Sequence, residues 1–339
     1  MLKIKVLISR ILSMSFKRMF MYVNQIHQET KKLRFFIFLD MIWCLIRYNI
    51  GYLDYKVFGF ALIRGKRRKT FMTMNHNLAL SKAFNMPGYG QILDNKLEFN
   101  YMFSDYLKRD WLDLSKANSE DFKKYIKNKK NIFAKAIDSF GGQGVELIDL
   151  SEIKDYDQLF KDLKDKRQYL IEDVIIQHDK MNLLCPKSVN TIRIVTLLVN
   201  GETHIMYALL RMGDGIKSVD NISSGGMYTI VSKDGILRKK AFCDKTGLYY
   251  DEHPFTHQVF FGFEIPCFFE AIELCKQASK VIPQLGYVGW DVAITPNGPV
   301  LVEGNQIPGY DMCQNYHQLD DDKQGILPSF KAVAGDFLK

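Results

Sequence analysis

Two periods alternate along this chain. Over residues 1–90 apolar positions recur at helical spacing, with few breakers before Gly51. Phe35, Phe36, Leu39, Trp43, Leu45 and Ile46 are predicted to fill one buried side of a helix. A loop-rich patch at residues 85–90 marks a first boundary. Helical segments are predicted from Asp94 through Leu107 and again from Ser119, with Phe122, Tyr125 and Ile126 on one face. The period then shortens to two. Residues 132–137 read as a strand, 145–148 as its return and 169–176 as another. A helix capped by Ser151 lies between these last two. Thr191–Val199 and residues 203–212 are long β-rich runs joined at Asn200-Gly201, the strongest short hairpin signal. A helix carrying Phe268, Ile272, Cys275 and Ile282 precedes the last strands at 287–294 and 300–302. The mixture predicts an α+β fold.

Residues 132–144, IFAKAIDSFGGQG, hold a lysine in the middle of an apolar strand, followed at once by Gly141, Gly142 and Gly144. A buried ammonium is expensive unless something answers its charge. Glycines let backbone N–H groups approach a ligand with no Cβ in the way. A cation beside a backbone anion cradle suggests phosphate. A plain hairpin with a surface lysine reads the same residues as well.

The other informative stretch is GWDVAITPNGPVLVEGN, residues 289–305. With Pro296, Asn297 and Gly298 taken as a three-residue loop, Thr295 faces Pro299 and Asp291 lies opposite Glu303. Asn305, two residues on, shares that face. Like charges directly opposite destabilise a sheet, so a cation is expected there. Three hard oxygen donors suit Mg²⁺ better than zinc. A solvent-facing acidic hairpin is the plainer reading of the same pattern.

Composition narrows the partners. At 339 residues the chain is predicted to form two or three units. Its 46 basic against 38 acidic residues give +8, which favours anionic partners such as nucleotides, acidic sugars or phospholipid head groups without implying nucleic acid. The basic run Arg64, Lys66, Arg67, Arg68, Lys69 reads as a solvated loop, or as a guide for an anionic substrate or membrane surface. Six scattered cysteines without a CxxC pair predict free thiols in a reducing compartment and no zinc site. Pro254 between His253 and His257 argues against a shared helical face for those two. The N-terminus is basic and apolar, but Arg10 interrupts it and it does not read as a secretory signal. The apolar run 35–46 is shorter than the ~20 residues of a membrane span, which leaves a buried amphipathic helix or docking on a membrane surface.

Taken in order, a lysine before a helix, a lysine on a strand, a glycine loop, a hinge glutamate and then Asp…Glu-x-Asn resemble the ATP-grasp superfamily. KRDWLDL, NTIRIVT, GWD and VEGNQIPG resemble most the sugar-transfer-associated ATP-grasp proteins of bacterial polysaccharide gene clusters. Ala136 departs from the usual proline after the strand lysine. The resemblance implies two α+β subdomains clamping ATP, at 91–182 and 183–339, after a mostly helical region at 1–90. It implies that Lys96 and Lys135 contact the nucleotide phosphates, and that the loop with Ser139, Gly141, Gly142 and Gly144 closes over them. Glu172 and the backbone of Val174 would meet the adenine, and Asp179 the ribose hydroxyls. Asp291, Glu303 and Asn305 would hold Mg²⁺, and Arg193, with Arg211 on the partner strand, would face the reacting phosphate. Each charged residue also has a plainer reading: Lys96 on a helix surface, Glu172 on an edge strand, Asp179 in a solvent-facing loop, Arg193 paired with a structural carboxylate.

The activity implied is a cytoplasmic ATP-dependent carboxylate–amine ligase, working through an acylphosphate at or away from the inner face of the membrane. It would join an amino acid or amine to a carboxylate of a cell-surface polysaccharide or its precursor, for example a uronic-acid glycan. The competing implication is a catalytically inactive ATP-grasp module that partners glycosyltransferases at the membrane surface. Other nucleotide folds match less well. A Walker loop needs a lysine where Val145 stands, a kinase puts its glycine loop before the lysine, and the glycines miss the dinucleotide GxGxxG spacing.

Overall fold

The computed structural model describes residues 15–137, 144–216, 220, 222 and 225–337. The chain divides into two compact units, one made of Met1–Ala83 with Gly309–Lys339 and the other of Phe84–Pro308.

The first unit is helical. α1 (Phe16–Thr30), α2 (Arg34–Tyr48) and α3 (Tyr52–Val57) are followed by a 3-10 turn at Gly65–Thr70 and by α4 (Met74–Phe84), which runs to the unit's edge. α1 is capped by the Ser15 side chain, and α1 and α2 both end on left-handed residues, Lys31 and Asn49. The core gathers Met19, Ile26, Ile37, Met41, Phe58, Phe60 and Phe71 with Phe330 from the C-terminal helix Leu327–Ala334. Gln314 ties the two stretches of chain together. Its Oε1 accepts from the Met72 amide at 2.8 Å and its Nε2 donates to the Met72 carbonyl at 3.0 Å.

Of the six residues predicted for its inner side, α2 buries only Leu45 and exposes the rest. Ile37, Met41, Cys44 and Leu45 face inward, whereas Phe35, Phe36, Leu39, Trp43 and Ile46 are exposed. The helix is apolar nearly all round, so periodicity alone could not choose its inner face. The choice is made by Asp40, which accepts from Tyr55 Oη at 2.7 Å and from Arg68 at 2.8 Å. Arg68 is therefore buried and only its neighbours in the basic run are solvated. Among the described residues no helix is long and apolar enough to cross a membrane.

The second unit holds two antiparallel sheets. β1 (Trp111–Asp113), β2 (Asn131–Lys135), β3 (Val145–Asp149) and β4 (Leu170–Asp173) form the smaller, in the order β1-β4-β2-β3. Before it comes α5 (Lys96–Met102). α6 (Ser119–Ile126) and α7 (Tyr156–Asp165) are capped by Asn118 and Asp155 rather than by the serines predicted. Phe122, Ile126, Ile132, Ile171 and Leu163 make the local core. The larger sheet comprises β5 (Thr191–Val199), β6 (Glu202–Met212), β7 (Met227–Val231), β8 (Ala241–Cys243), β9 (Leu248–Tyr250), β10 (Tyr287–Thr295) and β11 (Gly298–Asn305), ordered β11-β10-β5-β6-β7-β8-β9. α8 (Phe268–Ala278) packs on it. Asn200 and Gly201, at φ 51° and 82°, turn β5 into β6 as predicted.

The last hairpin differs from the predicted one in its loop. Thr295 pairs with Gly298, leaving only Pro296 and Asn297 at the tip. A bulge at Val302 then absorbs one residue and brings Asp291 opposite Glu303 after all. The register expected for the carboxylates holds for a reason other than the one given for it.

Candidate active site

β10 is buried on both faces. Trp290, Val292 and Ile294 enter the main core, and the Trp290 indole donates to Thr196 Oγ1 at 2.9 Å. Asp291 therefore points to the other face, where β5 sets Arg193 directly opposite it and β11 sets Glu303 on its other side. Asp291 is 2% exposed, and two guanidinium groups reach it. Arg193 pairs with it bidentately, its Nη2 at 2.8 Å from Oδ2, and Arg211 Nη1 donates to Oδ2 at 2.7 Å. Arg211 in turn contacts Asp220 at 3.3 Å, a carboxylate anchored by the Thr191 amide at 3.1 Å. Burial alone would raise the Asp291 pKa, but the two arginine charges hold it well below the usual carboxylate range. Glu303, beside it, goes the other way. Burial and the Asp291 charge push its carboxyl up to about 7. Asn305, on the same face of β11, donates from Nδ2 to the Gly289 carbonyl at 3.4 Å.

The smaller sheet has its own charge cluster. Glu172 on β4 is 2% exposed and lies diagonally from Lys135 on the neighbouring strand β2, with which it forms an ion pair. Asn100 Nδ2 and Arg109 Nη2 both donate to its Oε1 at 2.8 Å. Burial opposes ionisation, yet Arg109 and Lys135 draw the Glu172 pKa down to about 2. Arg109 also donates from Nη1 to the Leu301 carbonyl of β11 at 2.6 Å, so one side chain links the sheet that carries Lys135 to the hairpin that carries Glu303. A second link lies nearby, where Gln306 Nε2 donates to Asp94 Oδ2 at 2.5 Å. Close packing of β11 needs Gly304, since a Cβ there would meet Leu93 Cδ2 at 2.9 Å.

Lys96, partly buried at the start of α5, has its amide on the Ile137 carbonyl at 3.3 Å, beside the end of β2. Gly144 closes that hairpin at φ 66°, its carbonyl accepting from the Ala136 amide at 2.9 Å. Ser139, Gly141 and Gly142 lie outside the described residues. Val174 follows β4 and is half-buried, and Asp179 is exposed at the start of a helical turn, Asp179–Asn182. The oxygens of Glu172 are taken by Arg109, Asn100 and Lys135. Both oxygens of Asp291 are taken by arginines. Arg109, Asn100 and Asp220 were not singled out from sequence. Arg109 stands in KRDWLDL, where only its position just before an edge strand hints that it could turn inward.

The donor set fits a hard divalent cation. Glu303 is hydrogen-bonded to Asp291, and a carboxyl whose pKa is raised to about 7 by burial and by that neighbouring carboxylate is one that an added cation would ionise. Among the described residues no group of three or more His, Cys, Asp or Glu side chains is arranged to hold a metal, and this set is two acids and an amide. His253 is buried with its Nε2 on the Gly213 carbonyl at 2.9 Å, a structural position.

Solved structures to which this chain is similar include the ATP-grasp ligase PsnB complexed with minimal precursor, Mg and ADP (10% identity, TM-score 0.43, 76% of this chain and 62% of that one). They also include N5-carboxyaminoimidazole synthetase from Staphylococcus aureus complexed with ADP (13%, 0.40, 65% and 46%). D-alanyl-alanine synthetase A from Vibrio cholerae is a third (12%, 0.41, 73% and 66%). The chain thus spans about half to two-thirds of the length of these structures. No curated protein matches the sequence. The sequence does match the sugar-transfer associated ATP-grasp family over residues 62–321, more than half of its length. The chain belongs to the sugar-transfer associated ATP-grasp family, and its fold is the ATP-grasp fold preceded by a helical N-terminal region.

Proposed function

We propose that the chain is a cytoplasmic ATP-dependent carboxylate–amine ligase acting on a carboxylate of a cell-surface polysaccharide or its precursor, with an amino acid or other amine as second substrate. The observation that carries this reading is the linkage through Arg109 of two charge clusters. One is built on the lysine of β2 and the other on the carboxylate–amide face of β11. Phosphoryl transfer asks a protein for positioning and for compensation of charge more than for covalent help.

In this reading Lys96 and Lys135 hold the nucleotide phosphates, and the 139–144 loop excludes water. The Val174 backbone and Asp179 take the base and ribose, and Arg193 and Arg211 face the transferred phosphoryl group. Glu172 holds Lys135 in place, its oxygens being already engaged. Glu303 and Asn305, with Asp291 behind them, would hold Mg²⁺. Bound there, the ion would offset the charge of the phosphates. A substrate carboxylate oxygen attacks the γ-phosphorus as the bond to the bridging oxygen breaks and ADP leaves. The amine nitrogen then attacks the acyl carbon, phosphate departs with the C–O electrons, and the nitrogen gives up a proton.

Calorimetry of ATP with Mg²⁺, followed by ADP and phosphate release across carboxylate and amine acceptors, tests the proposal. Acceptor-dependent release that Lys135→Met and Asn305→Ala each abolish is the expected result. Absence of ATP binding would end the enzyme reading. One observation favours the alternative, a non-catalytic partner of glycosyltransferases: Asp291 is already saturated by two arginines. Under that alternative Asn305→Ala leaves pull-down partners unchanged and there is no turnover to lose.

A further inference from the structure

We propose that the exposed face of α1 and α2 is a docking surface for an anionic lipid bilayer. The inference does not rest on the ligase reading. Phe36, Leu39, Trp43 and Ile46 fall three or four residues apart on one side of α2, with Phe35 beside them, and each of the five is between 46% and 66% exposed. α1 extends the surface. Its Phe16 and Phe20 are 57% and 53% exposed, and the Phe20 ring stacks on Phe38 of α2 with centroids 6.1 Å apart. A contiguous apolar face of this kind marks an interaction site rather than ordinary surface.

Charge decides the occupant. Residues 1–50 hold nine lysines and arginines against two acids, which accounts for seven of the chain's eight net positive charges. Both acids are already paired within the unit, although Glu29 stays half-exposed. Asp40 is engaged by Arg68 and Tyr55, and Glu29 by Lys56. Lys17, Arg18, Lys31, Arg34 and Arg47, on the same two helices and the turn between them, are all exposed. A second copy of the chain would set cation against cation, and residues 1–14, with Lys3, Lys5, Arg10 and no acid, would do the same. A negatively charged membrane meets both demands: acyl chains take the rings and head groups take the cations. Trp and Arg at the ends of an apolar stripe are the usual interfacial anchors. α2 has 15 residues and is about 22 Å long, too short to span the roughly 30 Å of hydrocarbon, so it lies in the plane of the interface.

The test is sedimentation of the full chain with vesicles of phosphatidylglycerol and phosphatidylcholine, against vesicles of phosphatidylcholine alone. Trp43 emission is read in parallel with brominated lipids. Trp43 is the exposed tryptophan, while Trp290 is buried and Trp111 half-buried. The expected result is salt-sensitive binding to the anionic vesicles with quenching of Trp43. Trp43→Ser and Phe36→Ser each weaken it about tenfold. Arg34→Glu and Arg47→Glu each weaken it at least about fivefold. All four positions are exposed, and circular dichroism confirms that the variants fold. Failure to sediment with anionic vesicles overturns the proposal. A dimer in light scattering that Phe36→Ser dissociates would then identify a second copy as the occupant. Binding that all four variants retain also overturns it, because the contact would then lie elsewhere.

Discussion

At the scale of single residues, the site is governed by buried charges that compensate one another. Glu172 answers two cations, and its pKa is drawn down to about 2, so the stabilisation it gives is present above the ordinary carboxylate range and is lost as pH falls from about 4.5 toward 2. Glu172→Gln leaves the buried charges of Arg109 and Lys135 without their anion. It is expected to cost about 3 kcal/mol and to lower Tm by about 10 °C at pH 7, read by thermal unfolding. Glu303 has the opposite sign. Its folded-state pKa is raised to about 7, so the folded protein loses stability as pH climbs from about 4.5 to 7. Without Mg²⁺, Glu303→Gln is expected to be about 1–3 kcal/mol more stable than the native chain at pH 8 and equal to it at pH 4. Denaturant melts at the two pH values check this. These opposite behaviours were not legible in the sequence, where both residues are acids on predicted strands. The Asp291–Glu303 pairing and the place of Lys135 on a strand were legible, because alternation on strands and a turn signal locate side chains on faces. Arg109 was not, since its partners lie 63 and 192 residues away and no local pattern reports such a distance.

Elements were read well where one face differs from the other, and poorly where it does not. The β5–β6 hairpin is fixed by Asn200-Gly201, and the strand pair β10–β11 by its alternation. α2 carries apolar residues on all sides, and its inward face was set by Asp40 meeting Arg68, a contact across 28 residues. The bulge at Val302 was equally invisible, because one residue lost from the loop and one gained in the strand leave the same pairing at Asp291. β11 also depends on close approach at Gly304. Gly304→Ala would press a methyl against Leu93 and Phe99 at 2.9 and 3.2 Å, with an expected cost of about 1–3 kcal/mol seen as a lower urea midpoint at unchanged slope.

At the scale of the molecule, the first unit is assembled from two stretches separated by the whole of the second. Gln314 bonds Met72, Tyr310 Oη donates to Asp54 at 3.0 Å, and the Gly325 amide donates to Thr70 Oγ1 at 2.8 Å. Removal of residues 309–339 is therefore expected to unfold residues 15–83 while Phe84–Pro308 stays folded. Limited proteolysis should yield a resistant fragment of the central unit alone.

The same interleaving imposes a timetable. A ribosome makes residues 1–83 first, and at ordinary speeds the next 225 take about 10–45 s before Gly309 appears. Throughout that interval the early helices lack the strand of chain that closes their core, while the intervening sheets can already form. The order of maturation thus runs from the middle outward. A nascent chain stalled between the two stretches would display its greasy N-terminal aromatics without the scaffold meant to hold them, a natural client for a holdase.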